Sequence, residues 1–125
     1  MTFGLFICTK NKKMNTENLN TTAAQFGLPL YVYDSEQIES QYNRLIQAFT
    51  KVPRFKVHYA VKALSNVSIL KIIKNLGGGL DTVSIEEVQL GLYAGFAPSE
   101  IIYTPNGVSM EEIEEVQESS EEEIL

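Results

Sequence analysis

The sequence predicts an α/β fold, the first three to four strand–helix units of a (β/α)8 barrel, and three observations carry that prediction. Short apolar runs alternate with longer stretches whose apolar residues recur at helical spacing, the pattern of βαβ units on a parallel sheet. Asp34 with Gln37, Ser84 with Glu87 and Ser109 with Glu112 give the spacing of helix N-terminal capping boxes just ahead of such stretches. One strand alternates apolar with polar residues. Strands of a doubly wound open sheet are buried on both faces and read as near-continuous apolar runs, whereas a barrel strand turns one face under the helices and the other into the lumen. A complete barrel needs about 250 residues, so a chain of 125 is expected to hold only part of one.

The elements follow in order. Residues 1–25 are read as a poorly ordered N-terminal extension, with Met14 an alternative to Met1 as the start; the charges of "MTFGLFICTKNKKM" follow its apolar patch, the wrong order for a signal peptide. "LYVYD", Leu30 to Asp34, is the first strand. It leads into a helix with Ile38, Tyr42, Leu45, Ile46 and Phe49 on one face, started by Asp34 and a Tyr33–Ile38 staple and broken by Pro53. In "FKVHYAV" and the lysine after it, Phe55, Val57, Tyr59 and Val61 share one face, and Lys56, His58, Ala60 and Lys62 the other. Ser65 or Asn66 then caps a helix whose stripe is Val67, Ile69, Leu70, Ile72, Ile73 and Leu76, stopped by the glycines from Gly77. "GLDTV" from Gly79 is the third strand; Ile85, Val88 and Leu92 carry the next helix, closed by Gly95. "EIIYT" from Glu100 is the fourth, and Met110, Ile113 and Val116 mark a last helix. The partial barrel domain therefore covers residues 26–116, and 117–125, "QESSEEEIL", form an acidic tail without barrel periodicity, expected to be disordered or a truncation artefact.

Composition narrows the function. With 44% hydrophobic and 21% charged residues the chain is an ordinary globular domain. A net charge of −6 and a pI near 4.8 leave no basic patch for nucleic acid or anionic membrane. Nor does any apolar run approach the roughly 18 residues that span a bilayer. The lone cysteine, Cys8, has no internal disulfide partner, which fits a cytoplasmic protein acting on a small molecule, and no metal site is expected.

The chemistry concentrates at one place. Lys62 falls at the C-terminal end of its strand and Asp81 at the same end of the next, on the rim where barrel enzymes place their active sites. A lysine there suits a Schiff base with a carbonyl of substrate or cofactor. On spacing alone, an ordinary solvated or ion-paired lysine past a strand end is the simpler reading. His58, deeper on the lumen face, reads as a satisfied core histidine before a catalytic base. "GGG" at Gly77 lacks the spacing of a phosphate loop and reads as a helix stop. Asn106-Gly107 is a turn on the same rim, and the glutamates from Glu111 to Glu123 are a solvated helix face.

The blocks "HYAVKALSN", "GGGLDTVSIEEV" and "LYAGFAPSEIIYTPNG", from about Phe26 to Val116, resemble the N-terminal part of the diaminopimelate decarboxylases, in the alanine-racemase-like family of pyridoxal-phosphate barrels. The resemblance implies that Lys62, in Tyr59-Ala60-Val61-Lys62, binds pyridoxal 5'-phosphate covalently. It places Asp81 in the same pocket and Ala60 beneath the cofactor ring, although plain packing explains Ala60 equally well. Two departures stand out: Ser84-Ile85-Glu86-Glu87 where relatives have Ser-Gly-Gly-Glu, and "KALSN" where they have "KANSN". Neither removes a charged group. The family continues through the rest of the barrel and a β-rich domain, so the chain by itself is expected to be an inactive fragment of its parent, with open sheet edges and the apolar face from Val67 to Ile73 uncovered.

The activity implied for the parent is decarboxylation of meso-2,6-diaminopimelate to L-lysine, an amino-acid substrate bound by a homodimer. The alternatives are decarboxylation of ornithine, arginine or carboxynorspermidine, or a non-catalytic pyridoxal-phosphate carrier. Racemases usually carry an Ala-Tyr-Gly-His segment that "KALSNVS" lacks.

Overall fold

A computed structural model describes the backbone of residues 4–8 and 14–122 and the side chains of residues 14–119. The chain divides into two compact units, Met1–Phe49 and Thr50–Leu125. Residues 1–3, including Met1, residues 9–13 and the end of the acidic tail, 123–125, lie outside the described residues.

The first unit is a βαβ arrangement followed by a helix. Strand β1 (Gly4–Cys8) runs parallel to β2 (Leu30–Asp34), in register from Gly4 opposite Leu30 to Cys8 opposite Asp34. Helix α1 (Thr16–Phe26) connects them: the Asn15 side chain accepts from the Asn18 N–H at 2.8 Å, and the Gly27 N–H closes the last turn on the Ala23 carbonyl at 2.8 Å. Helix α2 (Ser35–Ala48) starts as its sequence prescribes, with Asp34 Oδ1 accepting from the N–H groups of Glu36 and Gln37 at 2.9 and 3.2 Å. It buries Tyr42, whose phenol is raised in pKa by that burial.

Two expectations change here. Residues read as a featureless extension contain α1, which the apolar pattern misses because "TENLNTTAAQF" is polar nearly all round. The strand Leu30–Asp34, expected in the same sheet as the lysine strand, pairs with β1 in a sheet of its own.

The second unit is a three-stranded parallel sheet in the order β3 (His58–Ala60), β4 (Gly79–Thr82), β5 (Ile101–Tyr103). Helix α3 (Val67–Asn75) links the first pair of strands and α4 (Ile85–Tyr93) the second. Asn66 is the residue that caps α3, its side-chain oxygen accepting from Ser68 and Ile69 N–H at 3.0 and 3.4 Å. At α4 the Ser84 hydroxyl accepts from Glu87 N–H while Glu87 Oε2 reaches back to Val83 N–H at 2.8 Å. Both helices stop on glycine. Gly77, at φ 81°, and Gly95, at φ 94°, hold the left-handed conformation that lets the next residue's N–H return five residues, Gly78 to Ile73 O and Phe96 to Gly91 O.

The core lies between this sheet and its helices, around Val61, Leu70, Leu80, Val88 and Phe96. Ile69, Leu70 and Ile73 are buried as well, so these three of the α3 residues expected to be uncovered are packed within their own unit, while Val67 and Ile72 stay half-buried. Helix α5 (Met110–Glu122) begins with the Ser109 hydroxyl accepting from Glu112 N–H at 3.2 Å. It runs beyond Val116 into the acidic segment, because glutamate propagates a helix well without apolar partners.

Candidate functional site

Strand alternation sorts β4 into two faces. Leu80 and Thr82 are fully buried, at 0% exposure, beneath the helices, while Gly79 and Asp81 look the other way. Register extends that second face across the sheet: His58 stands beside Gly79, and Ala60, Asp81 and Ile102 form the next row toward the strand ends. Ile102 is 45% exposed and Asp81 half-buried, so this row is the open floor of the site.

The row below is tightly filled. A Cβ built on Gly79 would stand 2.5 Å from His58 Cδ2 and 2.6 Å from the Glu100 carbonyl oxygen. The histidine ring thus lies over a glycine that has no room for any side chain, a use of the third glycine separate from stopping the helix. Gly79→Ala is expected to cost about 1–3 kcal/mol, since the Glu100 backbone cannot step aside as a flexible side chain would. A lower denaturation midpoint at unchanged slope checks it. At the edge of this row Lys56 lies 4.0 Å from Glu100, an exposed pair worth about 0–1 kcal/mol.

Lys62 does not end a strand. Pairing stops at Ala60, and Lys62 is the middle residue of a 3-10 turn, Val61–Ala63, that leads toward the Asn66 cap. The expected inward direction of Lys62, inherited from the pleat, therefore does not apply beyond Ala60. The turn is held from three sides. Val61 is fully buried, Leu64 N–H donates to Val61 O at 3.0 Å, and the Tyr59 hydroxyl donates to Leu64 O at 3.2 Å. Lys62 itself is exposed.

The structure therefore brings Ala60 and Asp81 side by side on adjacent strands, with Lys62 on the turn two residues after Ala60. The hydrogen bond of Asp81 comes from Thr104, whose hydroxyl donates to Oδ1 at 2.6 Å. Sequence reasoning gave Thr104 no role. Its signal was its place one step past β5 on the Ile102 face. Gly107, at φ 69°, makes the expected turn after it.

A primary amine held on a rigid turn can condense with an aldehyde, a methyl-sized Ala60 leaves space for a flat ring, and a fixed carboxylate can orient a polar group of such a ring. This donor set fits pyridoxal phosphate.

Residues 35–124 match the family model described as the pyridoxal-dependent decarboxylase, pyridoxal binding domain. A diaminopimelate decarboxylase of Methanothermobacter thermautotrophicus is 42% identical over 93 residues, 74% of this chain and 22% of the relative. Among solved structures, diaminopimelate decarboxylase from Helicobacter pylori complexed with L-lysine superposes with a TM-score of 0.71 at 35% identity, over 85% of this chain and 26% of that one. Lysine/ornithine decarboxylase from Vibrio vulnificus complexed with cadaverine superposes at 0.75 over 86% of this chain and 29% of that one; at 24% identity it bears on the fold alone. The chain spans about a quarter of the length of these proteins, and its parallel sheet with flanking helices is the N-terminal part of their barrel. It belongs to the pyridoxal-dependent decarboxylases, and the cofactor of that family is pyridoxal phosphate.

Proposed function

We propose that the complete protein containing this chain decarboxylates meso-2,6-diaminopimelate to L-lysine, with Lys62 as its cofactor lysine and Asp81 and Ala60 lining the cofactor pocket. The carrying observation is the rim itself: Ala60 and Asp81 in register with the Lys62 turn just beyond them, in a chain 42% identical to a diaminopimelate decarboxylase over 93 residues.

When bound, pyridoxal phosphate accepts the electron pair released as carbon dioxide leaves. The work of this chain is placement. Lys62 Nζ would tether the cofactor, and its amine can hold a proton near the reacting carbon. Ala60 leaves the ring its space, and the Asp81 carboxylate orients it. The resemblance supports a homodimer. A cytoplasmic setting is supported by the lone cysteine; among the described residues no helix is long and apolar enough to cross a membrane.

The test is carbon dioxide release by the complete protein with pyridoxal phosphate, offered meso-diaminopimelate, ornithine, arginine and carboxynorspermidine separately. The expected result is a kcat/KM for diaminopimelate far above the others. Preference for another substrate would replace the assignment, and cofactor binding without turnover of any would favour a carrier.

A further inference from the structure

We propose that Thr104 is a positioning residue for the cofactor site, fixing the Asp81 carboxylate so that one oxygen is committed to the protein and the other is left for the cofactor. This rests on the reading of Asp81 given above.

The Thr104 hydroxyl has one proton and two acceptors within reach, Asp81 Oδ1 at 2.6 Å and the Thr82 carbonyl at 3.4 Å. The short bond to the carboxylate holds the proton, because a charged acceptor makes the stronger and shorter hydrogen bond. Thr104 is itself well anchored. Its N–H donates to the Thr82 carbonyl at 2.8 Å, carrying the β4–β5 ladder one step past the end of β5, and its β-branched side chain has few rotamers. On the opposite face the Thr82 hydroxyl donates to the Ile102 carbonyl at 3.1 Å, so the two strand ends are tied independently of Asp81. A bond needed only to hold β4 to β5 would duplicate these. What the Thr104 hydroxyl adds is the direction of the carboxylate, in the row where Ala60 forms the floor and beside the turn that carries Lys62.

The test uses the complete protein and four variants, Thr104→Val, Thr104→Ser, Asp81→Ala and the Thr104→Val/Asp81→Ala double, read by the dissociation constant of pyridoxal phosphate and the pH titration of the bound cofactor's visible band. Valine keeps the shape and the backbone bond but removes the donor. Thr104→Val is expected to weaken cofactor binding about tenfold, the effect of one hydrogen bond to a charged group. It should also move the titration midpoint of the band, since the negative charge beside the cofactor is no longer held in one direction. Serine should restore both, and valine should add nothing once Asp81 is alanine and no acceptor is left. If Thr104→Val matches the parent while Asp81→Ala weakens binding, the positioning role is wrong and the Asp81 assignment stands. Equal effects of valine in both backgrounds would make Thr104 merely structural and overturn the proposal. A silent Asp81→Ala would overturn the Asp81 assignment, and this proposal with it.

Discussion

Lys62→Ala in the complete protein is expected to abolish turnover and covalent retention of pyridoxal phosphate together, while leaving the cofactor-free fold intact. Loss of proton transfer alone removes about 10²–10⁴-fold in rate, and loss of the covalent tether adds to it. The fold should tolerate the change because Val61, fully buried, carries the packing of the turn and Lys62 is exposed. Surface substitutions of this kind stay within about 0.5 kcal/mol. Borohydride reduction of the cofactor-loaded parent should label the peptide containing Lys62. Label on Lys56, which lies against Glu100, or on Lys71, on the exposed side of α3, would remove Lys62 from the site.

Asp81→Ala separates the two assignments. If Asp81 orients the cofactor, turnover should fall much further than stability, since removing a half-buried rim carboxylate opens no core cavity. Parallel kinetics and thermal unfolding check it. An unchanged kcat/KM would leave Asp81 as a strand-end residue tied to Thr104 and nothing more.

The sequence announced what short-range physics controls. Asp34, Asn66 and Ser84 cap the helices they were expected to start, and Gly77 and Gly95 stop theirs, because cap and stop chemistry is settled within four or five residues. What escaped depends on partners distant in sequence. The alternation of "FKVHYAV" ran on from Phe55 to Val61, but only His58 to Ala60 find a ladder partner on β4. Nothing local in "LYVYD" says that it pairs with Gly4–Cys8 and not with the lysine strand. The Thr104–Asp81 bond spans 23 residues, and no local pattern encodes it. Of the candidate site, what was legible is that Ala60 and Asp81 stand together at one end of the sheet. The turn that bears Lys62 was not, because its shape comes from the burial of Val61 and the reach of the Tyr59 hydroxyl.

The largest stability effect is expected from Phe96→Ala. Phe96 is 1% exposed and heads the fully buried side chains by volume. It is placed by the Gly95 stop of α4, with its own N–H bonded to Gly91 O at 3.1 Å, and Lys74 of α3 sets its ammonium 5.8 Å from the ring centroid. One ring therefore joins the ends of the two helices that flank the Asp81 strand. Truncation removes the transfer free energy of the ring and leaves a cavity that two capped helices cannot easily close, a loss of about 3–5 kcal/mol. The cation–π contact is a small part of that, about 0.5–1 kcal/mol near the surface. Lys74→Ala should therefore be mild where Phe96→Ala is severe, and Phe96→Leu, which refills part of the space, should fall between them. Denaturant unfolding at constant slope gives the order directly. If Lys74→Ala costs as much as Phe96→Ala, the charge and not the buried ring holds α3 to α4. Since typical domains have only about 5–15 kcal/mol in total, the alanine variant is also expected to hold pyridoxal phosphate less well without any change to Lys62, Asp81 or Thr104, through loosening of the three-stranded sheet whose ends carry them.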